Sequence, residues 1–220
     1  MACISKLAAI AFVTVLLAGC AALSTPPAQA PGPLEALKAQ TPAVLKTEPQ
    51  VSRESQQQYE RALVALSAGR HADAERELAA LTAREPKLAG PHANLGILYH
   101  RMGRAAQAIT ALERAIDLNP ERAPYHNMLG MVHRGEGRFA QARAAYERAL
   151  ALDPNYAYAH LNLGILYDLY LAEPQKALPH YEHYRTLAPQ EAGAVAKWIA
   201  DIKQRGRTGT ARQTKGDKNG

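Results

Sequence analysis

Cysteine is nearly absent from this chain, with only Cys3 and Cys20 among 220 residues, too few for a disulfide framework. The signatures of common catalytic sites are missing as well. There is no glycine-rich phosphate loop, no His-Glu-x-x-His and no Gly-x-Ser-x-Gly, so neither a phosphate cradle, a zinc-protease helix nor a nucleophile elbow is written in the chain. Long apolar runs are lacking too: the uncharged stretch from Leu7 to Leu17 is too short to span a bilayer as a permanent helix, and no second candidate follows it. The net charge of +6 is unevenly placed. One cation, Lys6, lies at the front, and Arg205, Arg207, Arg212, Lys215 and Lys218, offset by Asp217, lie at the end, leaving the body almost neutral. A nucleic-acid partner is therefore not expected of an exported chain, and the basic end reads as a solvated tail or a contact for anionic lipid or an acidic partner.

What is present is a period. Gly69, Gly103 and Gly137 are spaced by 34 residues, as are Pro86, Pro120 and Pro154, and a repeat of that length means stacked structural units. Between these marks the order is kept: Asn94-Leu95-Gly96, Tyr99, Ala108, Leu112, Ala115 and Pro120 in one unit, then Leu129-Gly130, His133, Ala142, Tyr146, Ala149 and Pro154 in the next. This resembles the tetratricopeptide repeat (TPR), a helix-turn-helix unit. The resemblance implies an all-α fold, a TPR solenoid of about four helix-turn-helix units plus a C-terminal capping helix.

The units run 55–88, 89–122, 123–156 and 157–191. The first is degenerate, with Ala62 in place of the mid-helix glycine and no aromatic among Ala74, Leu78 and Leu81. Gly96, Gly130 and Gly164 fall inside first helices, where glycine costs roughly 1 kcal/mol relative to alanine and persists where a neighbouring helix comes close; the small residues Ala108 and Ala142 are the expected partners. Gly69, Gly103 and Gly137 belong to the turns, where a left-handed backbone favours glycine. The prolines end the second helices by lacking an amide and by disfavouring helix in the residue before them. The fourth unit is one residue longer, through Leu169-Tyr170-Leu171-Ala172-Glu173-Pro174, and an enlarged loop is the expected result. Ala194, Val195, Trp198, Ile199 and Ile202 mark one face of the capping helix.

The front of the chain carries an address. Lys6, the Leu7–Leu17 run and Leu17-Ala18-Gly19-Cys20 resemble a bacterial lipoprotein signal with its lipobox, which implies cleavage after residue 19 and lipidation of Cys20, with acyl chains of the palmitate kind as the membrane anchor. Cys3 would leave with the signal and the Cys20 sulfur would be occupied. Ala21, rather than Asp, follows the cysteine and suggests onward transport to the outer membrane. Residues 20–50, with Pro26, Pro27, Pro31, Pro33, Pro42 and Pro49, read as a tether too poor in apolar area to fold. The expected organisation is thus a signal peptide at 1–19, a lipidated tether at 20–50, the solenoid with its cap at 51–204 and a disordered basic tail at 205–220.

No cofactor is expected, nor a metal. His180 and His183 share one helical face, but zinc sites use three or four ligands, so the pair reads as surface histidines. His92, His126 and His160 stand 34 apart, too far from one another across stacked units to share an ion, and read as packing and interunit hydrogen bonding. Tyr99, Tyr146, Tyr167, Tyr181 and Tyr184 read as core or interface.

Stacked helix pairs wind into a superhelix whose first helices line a groove. The resemblance implies partner-binding residues at Asn94, Ile97, His100 and Arg101 in the second unit, Asn127, Met131 and Arg134 in the third, and Tyr158, Leu161, Asn162, Ile165, Asp168 and Leu169 in the fourth. Asn94 and Asn162 match the family's backbone-binding asparagine, whereas Met128 breaks that series. The groove is basic through Arg101 and Arg134 and apolar beyond, which suits a protein or peptide segment with acidic and apolar residues; no small-molecule substrate is evident. The chain is similar to TPR lipoproteins of pilus assembly, secretin assembly and gliding-type motility, the last through Leu161–Leu171, Tyr184 and Val195-Ala196-Lys197-Trp198-Ile199. The resemblance implies a non-enzymatic scaffold on the periplasmic side of the outer membrane that positions components of an envelope machine. An adaptor for peptidoglycan hydrolases or a periplasmic protease is the alternative, and an enzyme with an unrecognised site, one that would use His180 and His183, is a third reading.

Overall fold

The computed structural model describes residues 51–216, with side chains described to residue 206; the expected signal, Cys20 and most of the tether lie outside the described residues. Nine α-helices follow in order among the described residues: α1 Arg53–Ser67, α2 His71–Arg84, α3 Ala89–Arg101, α4 Ala105–Leu118, α5 Ala123–Gly135, α6 Phe139–Leu152, α7 Ala157–Ile165, α8 Pro174–Leu187 and α9 Gly193–Gly216. Helices α1/α2, α3/α4, α5/α6 and α7/α8 form four hairpins stacked in chain order, and α9 packs on the last. Successive first helices α3, α5 and α7 also touch one another, a contact that successive second helices do not match. The stack therefore curves with the first helices on its inner side.

The first three hairpin turns are closed in the same way. Gly69, Gly103 and Gly137 have φ of 69°, 71° and 71°, and the next residue's amide reaches back five residues, Arg104 N to Tyr99 O at 2.8 Å and Arg138 N to His133 O at 2.9 Å. This left-handed closure takes up carbonyls that the helix end would leave bare. At the other end of the first three units, Glu85, Asn119 and Asp153 leave the helical region, with ψ of 68°, 81° and 95°, before Pro86, Pro120 and Pro154, as the steric demand of proline requires.

The mid-helix glycines meet large residues, not small ones. A Cβ on Gly96 would lie 2.5 Å from Leu112 Cγ, one on Gly130 2.6 Å from Tyr146 Cε1, and one on Gly164 2.7 Å from Tyr181 Cδ1. The expected partners, Ala108 and Ala142, are fully buried, and the Ala108 carbonyl lies 3.2 Å from the Gly96 position. The glycine leaves room for a side chain from the second helix to lie flat on the first helix's backbone. Leu112, Tyr146 and Tyr181 are in consequence completely buried.

In the fourth unit the extra residue enters the helix rather than the loop. Helix α7 continues as a π turn over Leu166–Tyr170, with Leu171 N bonded to Leu166 O at 3.0 Å, which absorbs one residue within the helix. The missing turn glycine is replaced by Ala172, the one non-glycine residue with positive φ, 54°, among those described. Pro174 then opens α8, where its missing amide costs nothing. The cap buries Val195, Ile199 and Ile202 against Tyr181, Tyr184 and their neighbours. Its backbone runs on to Gly216, through residues expected to form a tail from 205 onward; Asp201 and Arg205, one turn apart and 2.8 Å between charged atoms, support that continuation.

The glycine contacts can be tested. Gly130→Ala is expected to lower stability by about 1–2 kcal/mol net, because overpacking against the Tyr146 ring outweighs the helix-propensity gain of roughly 1 kcal/mol. Gly135→Ala, whose Cβ would meet only His100 Cε1 at 3.5 Å, is expected to be neutral or stabilising. Urea unfolding followed by circular dichroism measures both.

Candidate functional site on the inner face

The inner face is built from the first helices, and two kinds of polar contact bind one first helix to the next. Asn94 Nδ2 donates to the Tyr59 hydroxyl at 2.5 Å, and Asn162 Nδ2 donates to Asn127 Oδ1 at 3.0 Å. Both pairs join residues 35 apart, the sixth place of one unit to the fifth of the unit before. At the middle junction the same places hold Met128 and Ala93, so that contact is apolar. The amide nitrogens expected to face a partner's backbone are thus used inside the stack, and all three asparagines are buried.

A second set ties each first helix to the loop before it. His126 Nε2 lies 2.9 Å from Pro120 O, and His160 Nε2 lies 3.0 Å from Pro154 O. Two members of the 34-residue histidine ladder, His126 and His160, therefore serve unit junctions, each ring reaching the proline that ended the previous unit, whereas His92 Nε2 is buried without a hydrogen-bond partner. Between the first two units Arg104, in the second turn, grips both carboxylate oxygens of Glu75 at 2.9 and 2.8 Å and lies 4.4 Å over the Tyr99 ring.

His180 and His183 do not stand apart on a free surface. His160 Nδ1 is 3.1 Å from His180 Nδ1, His160 stacks on His183 with centroids 4.8 Å apart, and Tyr167 stacks on His180 at 5.9 Å. His160 is buried and His180 half-buried, whereas His183 is exposed. With Nε2 held by Pro154 O, His160 presents Nδ1 as acceptor to His180 when both rings are neutral. Among the described residues no group of three or more His, Cys, Asp or Glu is placed to hold a metal ion.

Of the thirteen groove positions, Ile97, Leu161 and Ile165 are buried with the three asparagines, and they form the floor rather than the open wall. His100, Arg101, Met131, Arg134 and Tyr158 are half-buried, and Leu169 is 53 % exposed. The Tyr158 hydroxyl donates to Glu191 Oε2 at 2.9 Å, which fixes it to the loop before the cap. Asp168 accepts from the Tyr181 hydroxyl at 3.4 Å and meets Arg205 of the cap at 3.6 Å. Arg101 Nη2 and Arg134 Nη1, in contrast, are buried without a hydrogen-bond acceptor. The Arg134 guanidinium lies 5.6 Å from the ring of Tyr170, itself 46 % exposed and 5.3 Å from Phe139.

Two residues of this region lay outside the sequence-based set. The Tyr146 hydroxyl is buried with no partner; burial drives its acidity far below that of an ordinary phenol, Tyr170 adds to the effect and Arg134 opposes it. Tyr170 is the other. The signal that marks them is a sign change in the repeat register: the twelfth place is Arg134 in the third unit and Asp168 in the fourth.

The family model of the tetratricopeptide repeat matches residues 88–155 and 121–190. Residues 88–190 are tetratricopeptide repeats. The degenerate first unit lies outside the match yet folds as the same hairpin. PilF of Pseudomonas aeruginosa shares the fold with a TM-score of 0.64 and 22% identity, over 72% of each chain. A thermophilic TPR protein of Thermus thermophilus shares it with a TM-score of 0.60 and 26% identity, over 78% of this chain and 94% of that one. A TPR domain of Spaghetti (RPAP3), solved with an HSP90 peptide, has a TM-score of 0.50 and 21% identity, over 53% of this chain and 94% of its own. No curated protein matches the sequence. A TPR array is a scaffold for protein–protein interaction.

The histidine stack sets a pH dependence. Burial, then His160 and His183, push His180 down to about 4 from 6.5. Between those values the unfolded chain binds a proton that the folded protein refuses, so the stability present above pH 6.5 is lost as pH falls toward 4. The expected loss is on the order of 2 kcal/mol, less than the full shift implies because the ring keeps some solvent contact. His180→Gln should flatten this part of a melting-temperature profile; an unchanged profile would remove His180 as its source.

Proposed function

We propose that this protein is a non-enzymatic lipoprotein of the bacterial outer membrane whose TPR stack, facing the periplasm, holds a protein component of a cell-envelope machine of the pilus, secretin or gliding-motor type. The observation that carries the reading is the inner face of units two to four. There Arg101 and Arg134 keep N–H groups without an acceptor, Arg134 lies 5.6 Å from the ring of Tyr170, and Leu169 and Tyr170 expose apolar surface. A buried donor left unpaired costs about 1–3 kcal/mol, which a bound acceptor relieves, and an exposed apolar residue gains by being covered. An acidic and apolar protein segment supplies both.

The membrane part of the proposal rests on Leu17-Ala18-Gly19-Cys20 after an apolar run, followed by Ala21. A diacyl or triacyl anchor at Cys20 holds the protein to a bilayer far longer than one chain would, at about 0.8 kcal/mol per buried methylene. The proline-bearing stretch to residue 50 gives reach. The choice of machine is supported by the resemblance of the fourth unit to envelope TPR lipoproteins and by the fold shared with PilF.

Cys20→Ala is expected to abolish incorporation of labelled fatty acid and to move the protein out of the outer-membrane fraction. In-cell crosslinking with mass spectrometry is expected to recover secretin, pilus or motor subunits, and Arg101→Glu with Arg134→Glu to cut that recovery at least about tenfold with helicity unchanged. Recovery of cell-wall hydrolases or a periplasmic protease instead would make the protein their adaptor.

A further inference from the structure

Units three and four carry the same three-residue device with opposite outcomes. In unit four, Tyr181 lies over Gly164 and its hydroxyl meets Asp168, one helical turn beyond that glycine. Asp168 is in turn paired with Arg205, so donor, acceptor and charge are all matched within the fold. In unit three, Tyr146 lies over Gly130 in the same manner, but the residue one turn on is Arg134. The Tyr146 hydroxyl and Arg134 Nη1 are then two buried donors without an acceptor, and the Arg134 charge acts on that hydroxyl. Native folds rarely leave such groups bare without a reason. The missing piece is the carboxylate that unit four supplies for itself.

The surrounding charge is mixed but predominantly basic: His100, lowered in proton affinity first by burial, feels the cations Arg134 and Arg101 against the single carboxylate of Glu136. Asp168 is committed to Tyr181 and Arg205. Burial lowers the proton affinity of Arg101, a cost that an anion would offset.

We propose that unit three is a receptor for an acidic side chain: the Arg134 guanidinium and the Tyr146 hydroxyl take the carboxylate of a Glu or Asp in a partner segment, Arg101 flanks it, and the partner's adjoining apolar residue covers Tyr170 and Leu169. Entry of the carboxylate draws the Arg134 guanidinium off the ring of Tyr170 and opens the way to the hydroxyl. This deepens the scaffold reading above, since it names the chemistry of what the inner face holds.

Two measurements on the full-length protein in detergent test it. In the first, Tyr146→Phe and Tyr181→Phe are melted without ligand. Tyr181→Phe is expected to lower the melting temperature, because it breaks a bond to Asp168, whereas Tyr146→Phe leaves it unchanged or raises it by removing an unpaired buried group. An equal fall in both would mean the Tyr146 hydroxyl is already satisfied inside the fold, and would overturn the proposal. In the second, fluorescein-labelled Ala-Ala-Glu-Leu-Ala-Ala amide is titrated against its Glu→Gln version and against that Gln version with a free C-terminal carboxylate. The wild type is expected to prefer the Glu amide about tenfold, as charge-assisted bonds are roughly twice as strong as neutral ones. The preference should fall several-fold in Tyr146→Phe and vanish in Arg134→Gln. It should weaken in 0.5 M NaCl, where the Debye length is only about 4 Å. No preference in the wild type, or equal binding of the free-carboxylate Gln peptide, overturns the side-chain receptor. A crosslinked envelope partner retained equally by wild type and Tyr146→Phe removes the receptor and leaves the scaffold standing. A tenfold peptide preference with no partner recovered in cells removes the scaffold role and keeps the receptor.

Discussion

A ring or branched side chain lying flat on the backbone of a neighbouring helix is the contact on which this molecule depends. Leu112, Tyr146 and Tyr181 each occupy space that a Cβ on Gly96, Gly130 or Gly164 would claim. That brings the two helices of a hairpin together closely enough to bury the side chain completely. Once the hairpins are closed, each still has an apolar flank that only the next hairpin can cover. The stack follows, and it ends where α9 lays Val195, Ile199 and Ile202 over the last flank.

The same contact sets the chemistry of the inner face. A tyrosine laid over a glycine projects its hydroxyl one turn further along the first helix, so the residue at that place decides whether the hydroxyl is satisfied. Asp168 satisfies it in unit four, and Arg134 does not in unit three. A packing device repeated for stability therefore becomes a binding device where one residue changes sign. The π turn at Leu166–Tyr170 contributes by setting the exposed Tyr170 against Phe139 and near Arg134.

Polar groups elsewhere serve the junctions. His126 and His160 bond the proline carbonyls that end preceding units, and an Asn94–Tyr59 and an Asn162–Asn127 contact join the outer two of the three unit junctions. Charged contacts are mostly partly exposed pairs of small individual value, except Arg104, whose two-pronged hold on Glu75 links the degenerate first unit to the second. The His160–His180–His183 stack is the most acid-sensitive junction, since two of its rings lose water in the fold and both favour the neutral form.

The 34-residue recurrence of glycine and proline by itself determined the helical hairpins, their turns and their order, because left-handed turns and proline stops are local demands that a chain must meet wherever it folds, and the apolar spacing from Ala194 to Ile202 determined the face of the cap. The resemblance to the tetratricopeptide repeat, carried by those marks, implied that Arg101 and Arg134 lie on the inner face. Which groove positions would be open, and which would sink into the floor, was decided only by the tertiary structure: Asn94, Asn162, Ile97 and Leu161 have the right register, but how deeply each is covered depends on the helix stacked next to it. The fate of the extra residue in unit four was likewise tertiary, since a longer loop and a π turn absorb the same one residue and the local sequence does not choose between them. The unpaired hydroxyl of Tyr146 arises in the same way, where one helix's ring reaches a second helix's charge.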